Sequence, residues 1–282
     1  MMRLIVTALF TALLVLGVWT FFDSTTFLLG PERAGYRWWW PTDVSTYGGG
    51  IDLLFVVIGV MILVFFVLTY VVLIGAVFGA SRKSEEKAAF THGNHKLELL
   101  WTAVPAVLLL IIAFSQMQTW AAIKFRGAIA GEEIRAEAIA EQFDWRFRYP
   151  GTDGVFGTVD DIHSATDFVV PVDDKFVFHL RSNDVLHSFF VPKLRLKQDA
   201  VPGMTIPMWL EVDPDRFARE AQAIELADGS EGRELVVDLI CAELCGWGHY
   251  KMAGRVRMLS KNAFEAWMAE QEALRFDNGE PE

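Results

Sequence analysis

Both cysteines of the chain fall in one short run, Cys241-Ala-Glu-Leu-Cys245-Gly-Trp-Gly-His249-Tyr-Lys-Met252. Two thiols, an imidazole and a thioether set so close together make a group of soft ligands. Thiolate and thioether favour copper(I), and imidazole suits either oxidation state of copper. A mononuclear blue-copper site would use one Cys, two His and a weak Met. The second Cys permits another arrangement, in which two thiolates bridge two copper ions that share one electron, so little geometry changes as charge moves. That arrangement needs a second imidazole. His187, in Asp184-Val-Leu-His-Ser-Phe-Phe-Val-Pro192, falls on a predicted strand from which it can face the loop. Two other readings stay open. Cys241 and Cys245 can close a disulfide in an oxidising compartment, and zinc can take Cys241, Cys245, His249 and His187. Both leave Met252 without a role, and the Cys-x3-Cys-x3-His-x2-Met spacing favours copper.

The rest of the chain must place these residues. It has 282 residues, 52% of them hydrophobic and 22% charged, with a mean hydropathy of +0.29. That length allows one or two domains with a sizeable core. The charged fraction is ordinary, which excludes a disordered chain. Two Cys exclude a multi-disulfide scaffold and a four-Cys cluster. A net charge of -11 argues against a nucleic-acid partner, which calls for basic patches. The hydropathy places part of the protein in lipid.

Three uncharged apolar runs stand out, Leu4–Phe22, Leu53–Gly79 and Leu99–Ile123. An α-helix needs ~20 residues to cross the ~30 Å hydrocarbon core, so all three qualify. Pro105 near the start of the third is tolerable as a kink or first-turn residue. Arg3 and the apolar stretch after it also describe a signal peptide, but no A-x-A-like cleavage site follows Phe22. The first run is therefore expected to be a retained helix. Arg82, Lys83, Lys87 and Lys96 crowd the segment between the second and third runs, whereas only Arg33 and Arg37 lie between the first and second. The positive-inside rule puts residues 80–98 in the cytoplasm and everything after Ile123 outside. Trp38, Trp39 and Trp40 suit an interfacial aromatic belt. Four pieces result: a helix at 1–22, an external segment at 23–50, a transmembrane hairpin at 51–125 and an exported domain at 126–282.

Residues 1–125 carry 8 basic and 7 acidic side chains, which leaves 17 basic and 29 acidic for residues 126–282. An exported domain this acidic either steers a basic macromolecule or simply stays soluble. Its pattern is of short alternating stretches, Lys175–Arg181, Val185–Val191, Thr205–Val212, Glu234–Ile240 and Gly254–Leu259, which read as strands. Asp153-Gly154, Pro202-Gly203 and Asp228-Gly229 mark turns, and the spacing suggests a Greek-key β-sandwich. Ser260 can cap a short closing helix with Phe264, Trp267 and Met268 on one face. Asp153, Asp160 and Asp161 share a loop that could gather around calcium, but the spacing is not that of an EF-hand and a solvated turn-rich loop fits it better; an acidic, cytochrome-facing rim is a second functional option.

The loop "CAELCGWGHYKM" and the upstream "SNDVLHSFFVPKLRLKQDAVPG" together resemble subunit II of haem–copper oxygen reductases, over roughly Gly50 to Met268. The resemblance implies a membrane-anchored α plus all-β chain. Two or three transmembrane helices are followed by a cupredoxin-like sandwich and a C-terminal helix, in a bacterial inner membrane with the sandwich in the periplasm. It implies a dinuclear copper centre in which Cys241 and Cys245 bridge. His187 and Met252 complete one copper; His249 and the carbonyl of Glu243 complete the other. The Glu243 side chain is implied to reach magnesium or manganese against subunit I. His95-Lys-Leu-Glu98 resembles the segment whose Glu stands at the cytoplasmic mouth of a proton path, so Glu98 takes that role by resemblance.

Where the family commonly shows Gln-Trp-Tyr-Trp, with electrons arriving through the first Trp, this chain has Gln142-Phe143-Asp144-Trp145. Phe143 replaces that ring, Trp145 keeps the last position, Phe189 stands where Trp is usual, and Met204 where Arg is common. The implied function is to accept electrons from a c-type cytochrome, here a specialised or fused one, and pass them to haem in subunit I. Oxygen reduction there is coupled to proton pumping, and subunit III is a further expected partner. Only six His are present, and none lies in the apolar runs, so haem is left to the partner. The rival readings are the copper subunit of a nitric oxide reductase and a membrane-tethered copper carrier.

Overall fold

The computed structural model describes residues 2–25, 41–80, 92–125, 129–165, 167–172 and 174–277. Trp38–Trp40, Arg33, Arg37 and the basic residues Arg82, Lys83 and Lys87 lie outside these. The chain divides into two compact units. Residues 1–40 with Gly50–Trp120 form one, and Pro41–Gly49 with Ala121–Glu282 form the other.

The first unit is helical, built on α1 (Met2–Thr25), α2 (Gly48–Ala80) and α3 (His95–Lys124). Among the described residues, α2 and α3 are long and apolar enough to cross a bilayer, and the shorter stretch Ala8–Trp19 of α1 is also apolar. The Ile/Val/Leu/Phe body of α2 shows no polar stripe, and Leu53, Phe55, Ile62 and Leu68 are exposed, as expected of a helix made for lipid or for partner helices. The Phe10 and Tyr70 rings meet edge to face, 6.0 Å apart. Helix α3 begins on Asn94, whose Oδ1 accepts the N–H groups of Lys96 and Leu97 at 3.1 and 3.3 Å. The helix runs uninterrupted through Pro105.

The second unit is a sandwich. Its first sheet runs in the order β3 (Ile162–Ser164), β2 (Asp144–Tyr149), β1 (Ile134–Glu141), β5 (Phe176–Ser182) and β8 (Ile206–Leu210). The second runs β4 (Asp167–Pro171), β11 (Ala253–Leu259), β10 (Glu231–Cys241), β6 (His187–Val191) and β7 (Leu196–Ala200), with β9 (Gln222–Glu225) paired to β10. The β1–β5 and β11–β4 pairs are parallel and all others antiparallel, so the chain crosses repeatedly between sheets. Phe147, Phe168, Phe176, Phe178 and Phe189 fill the space between the sheets and are essentially inaccessible. Each such side chain contributes ~1.5–3 kcal/mol when fully removed from water. The buried Tyr149 hydroxyl donates to the Val169 carbonyl at 2.9 Å and accepts its N–H at 2.7 Å, tying β2 to β4.

All five expected strands form, with ends displaced by a few residues. Strand β1 has no counterpart among them because its inward positions are Ala136, Ala138 and Ala140. Alanine is a helix former and carries little strand signal. The polar edge strand β7, Leu-Lys-Gln-Asp-Ala, was equally invisible. The closing helix α4 (Lys261–Asp277) buries Phe264 and Trp267 as expected. Ser260 works differently from a cap: its hydroxyl accepts the Arg233 N–H and donates to Asn262 Oδ1. The segment Pro41–Gly49 joins the sandwich: Val44 is buried, its N–H donates to Lys193 O at 2.9 Å, and Arg216 pairs with Asp43.

Candidate metal centre

The soft donors converge at one end of the second sheet. His187 opens β6, Cys241 closes β10, and Met252 directly precedes β11, so three neighbouring strands deliver them. Register fixes their depth: Cys241 lies opposite Phe189, and Ile240 lies opposite both Phe190 and Ala253. The connection from β10 to β11 supplies Glu243, Cys245 and His249. Its base is closed by Cys241 N–H to Met252 O at 3.1 Å and by Ala242 N–H to Ser188 O at 3.0 Å. Within it, a short 3-10 turn, His249–Lys251, brings the imidazole back under the loop.

Cys241 and Cys245 are both free thiols, buried, with their sulfurs 3.9 Å apart. A disulfide holds its sulfurs at ~2.04 Å, so no bond joins them. The gap is less than twice the ~2.3 Å of a thiolate–metal bond, so one ion can touch both sulfurs. His187 Nδ1 stands 3.2 Å from Met252 Sδ and 4.0 Å from Cys241 Sγ. His249 Nδ1 stands 3.7 Å from Cys245 Sγ, which is itself 3.7 Å from Met252 Sδ. The Glu243 carbonyl lies 3.2 Å from Cys241 Sγ while its carboxylate faces solvent. His187, Cys241 and Cys245 form the one His/Cys/Asp/Glu group close enough to hold an ion among the described residues. Two imidazole nitrogens and a thioether sulfur thus lie within 4.0 Å of the thiol pair, close enough to share an ion with it.

Asp184 organises this pocket, and the sequence reading missed it. Its Oδ1 accepts His187 Nε2–H at 2.8 Å and Val185 N–H at 2.7 Å, while Oδ2 accepts Gln142 N–H at 2.6 Å. Holding the proton on Nε2 leaves the Nδ1 lone pair aimed at the sulfurs. Burial acts to raise the Asp184 pKa, but the hydrogen bonds from His187, Val185 and Gln142 outweigh it and hold the carboxyl below its ordinary range. Burial, reinforced by the neighbouring Cys241, pushes the Cys245 thiol up to about 11, so the sulfur keeps its proton until a cation displaces it. A carboxylate three residues before a candidate His was the available signal.

Phe143 and Trp145 stand in different surroundings. Trp145 is fully buried beside His187 and Phe189, at ring separations of 6.3 and 5.5 Å. Phe143 is half-buried, with its ring 5.1 Å from that of Trp247. A β-carbon on Gly248 would lie 2.5 Å from the Phe143 ring, so that ring occupies the space a side chain would need. Gln142 Nε2 donates to the Cys245 carbonyl at 2.6 Å, fastening the same strand end to the ligand loop. Phe189 is buried in the core and Met204 is exposed. Glu98 sits in the first turn of α3, half-exposed, with Oε2 3.2 Å from His95 Nδ1.

The aspartate loop behaves otherwise. Asp160 accepts from the Thr152 and Thr158 hydroxyls and from Asp153 N–H, at 3.2, 2.6 and 3.1 Å. Asp161 is buried, accepts Gly157 N–H, and lies 3.4 Å from Arg148, which also pairs with Glu137. Asp153 accepts Val155 N–H at 2.7 Å. These carboxylates close turns.

Apolar helices of spanning length joined to a sandwich with a sulfur–imidazole pocket at one sheet end define a membrane-anchored protein of the cupredoxin-like class. A family profile described as "Cytochrome C oxidase subunit II, transmembrane domain" matches residues 51–119, and "Cytochrome C oxidase subunit II, periplasmic domain" matches residues 142–226. The "Alternative cytochrome c oxidase subunit 2" of Bradyrhizobium diazoefficiens is 30% identical over 265 residues, covering 84% of this chain and 85% of that one. The "Cytochrome c oxidase subunit 2" of Alkalihalophilus pseudofirmus is 29% identical, covering 76% of this chain but 55% of the longer relative. A solved structure of the periplasmic domain of subunit II of cytochrome oxidase from Bradyrhizobium japonicum covers 50% of this chain and 95% of that domain, at 19% identity and a TM-score of 0.38. The chain belongs to the cytochrome c oxidase subunit II family. It is a membrane-anchored protein with a domain of the family's periplasmic type.

Proposed function

We propose that this chain is the electron-accepting subunit of a terminal respiratory oxidase, holding two copper ions in the pocket between β6, β10 and β11. The observation that carries this reading is the free, buried sulfur pair at 3.9 Å with an imidazole nitrogen beside each sulfur. Cys241 and Cys245 would hold both ions through their sulfurs, His187 and Met252 would complete one, and His249 with the Glu243 carbonyl would complete the other. When bound, the copper pair supplies one-electron chemistry at nearly constant geometry.

The chain's own residues keep that geometry constant. Asp184 fixes the His187 ring, the Cys241–Met252 backbone hydrogen bond pins both ends of the loop, and Trp145 with Phe189 excludes water from beneath. Removal of water and fixed ligand directions lower the reorganisation that accompanies charge movement. The exposed carboxylate of Glu243 would meet a magnesium or manganese ion at a subunit I surface.

The assembly sits in the bacterial inner membrane, α2 and α3 packing against haem-bearing subunit I and a subunit III, with a c-type cytochrome as donor. The domain order is a helix at 1–22, a linking segment at 23–50, the hairpin at 51–125 with its loop 80–98 in the cytoplasm, and the copper domain at 126–282. With copper bound, the chain would serve to relay electrons to a haem-bearing subunit I, the site of oxygen reduction and proton pumping. The named relatives are oxidases, which favours oxygen over the nitric oxide and copper-carrier readings.

Low-temperature electron paramagnetic resonance of the purified oxidase, with a copper count per chain, tests this. The expected result is a hyperfine pattern from one electron shared equally by two coppers. A zinc-filled or metal-free, disulfide-bonded chain would overturn it. Glu98 would stand at the mouth of a proton path: Glu98→Gln should slow proton uptake and leave copper reduction unchanged, and unaltered turnover would remove it from that role.

A further inference from the structure

Trp247 lies in the ligand loop midway between Cys245 and His249, and 77% of its surface is open to solvent. Leu244 and Tyr250 beside it are 76% and 83% exposed. Val185 and Leu186, which precede His187 in the chain, are also exposed. Soluble domains seldom leave contiguous apolar groups uncovered, and Trp and Tyr are the residues most enriched at the centres of protein interfaces. The loop has not hidden these rings although it packs Cys241, Cys245 and Met252 beneath them. Phe143 is half-buried, and its ring meets the Trp247 indole edge to face. Trp145 is sealed in the core, out of reach of any partner. The Lys251 ammonium stands 4.6 Å from the Trp247 ring centre, which steadies the indole through its π-face.

Electron-transfer rates fall exponentially with the gap between donor and acceptor, so the ring that shortens the path is the one a donor can touch. From Trp247 the covalent route to the Cys245 sulfur crosses a single intervening residue, Gly246. We propose that Trp247 is the docking ring at which a single-haem c-type cytochrome seats the apolar edge of its haem, and through which the electron reaches the metal pocket. The Phe143 ring packs edge to face against it. The inference rests on the electron-accepting reading above. The donor's Fe(II) haem loses one electron and becomes Fe(III), the centre gains that electron, and no proton or bond changes hands. The exposed groups around Trp247 are largely apolar, with the Lys251 ammonium over the indole and the Glu243 carboxylate beside Leu244, so the surface suits a partner contacting it through exposed haem edge and aliphatic side chains.

The test uses the assembled oxidase and a soluble single-haem c-type cytochrome from the same source. Three variants are compared with the parent: Trp247→Leu, Trp247→Phe and Phe143→Leu. Binding of the oxidised cytochrome is measured by calorimetry, and reduction of the centre by stopped flow; photoreduction with a small ruthenium complex checks that the centre itself is intact. Trp247→Leu should weaken binding by ~10-fold, as expected for an aromatic anchor, and slow bimolecular reduction at least as much. Trp247→Phe should restore most of both, and Phe143→Leu should change binding by no more than ~2-fold, as for a residue at the margin of an interface. Unchanged binding and reduction in Trp247→Leu, or a loss confined to Phe143→Leu, would overturn the proposal. If the parent enzyme accepts no electron from the cytochrome while the ruthenium complex reduces it, the reading that a c-type cytochrome is the donor fails instead.

Discussion

Two loops of the sandwich are dense in potential metal ligands, and they use them in opposite ways. In residues 151–161, the carboxylates of Asp153, Asp160 and Asp161 are all engaged by the loop's own N–H and hydroxyl groups or by Arg148. In residues 241–252, backbone groups satisfy one another, through Cys241 N–H to Met252 O and His249 N–H to Gly246 O, and the side-chain donors are left facing one another. Donor density therefore says little about a binding site. What matters is whether the backbone needs those donors. A carboxylate is a strong acceptor that turns readily recruit, whereas sulfur is a weak partner for amide N–H and stays available to a metal.

The largest effect expected from this contrast is on Cys245. Cys245→Ser should abolish the shared-electron copper signal, while Asp153→Ser should leave the spectrum and the copper count as they are. Copper analysis of both variants separates a committed ligand from a turn residue. Next comes Asp184, which holds His187 by hydrogen bond rather than touching metal. Asp184→Ala should reduce copper affinity by ~10–100-fold, the usual scale for removing a partner that orients a ligand, read by competition with a chelator. A mere folding role would lower thermal stability without that affinity loss.

A smaller change follows at Gly248, where an added methyl would press on Phe143 from 2.5 Å. Gly248→Ala should cost ~1–3 kcal/mol in chemical denaturation, the range for overpacking. The smallest effect belongs to the aspartate loop. The Thr158 hydroxyl, then the Asp153 N–H, hold the exposed Asp160 carboxyl down to about 2 from 3.8. A carboxyl with a lowered folded-state pKa stabilises the native state above its unfolded pKa, and that contribution fades as pH falls through the folded value. Asp160→Asn should therefore flatten the acid limb of the stability curve between 3.8 and about 2, while calcium should leave the melting temperature of the parent unchanged. A calcium-dependent rise would erase the contrast between the two loops.

Much of this was legible along the chain. The apolar runs marked α1, α2 and α3 because length and hydropathy alone decide whether a helix can span lipid. The alternation in 175–181 and 254–259 marked two core strands, since a half-buried strand shows its period directly. The soft set Cys241, Cys245, His249 and Met252 announced a metal by residue type and spacing. Strand β1 stayed hidden because alanines line its inner face, and Asp184 because its role depends on a partner, Gln142, far away in sequence.

Sequence by itself determined which donors exist and that one part of the chain belongs in a membrane, because side-chain chemistry and hydrophobic length are properties of the residues alone. Tertiary structure decided which donors meet, which carboxylates are consumed by turns, and that Trp247 rather than Trp145 faces outward. Those outcomes depend on strand register and on the competition for hydrogen bonds at each backbone group, and neither is set until the sheets have packed.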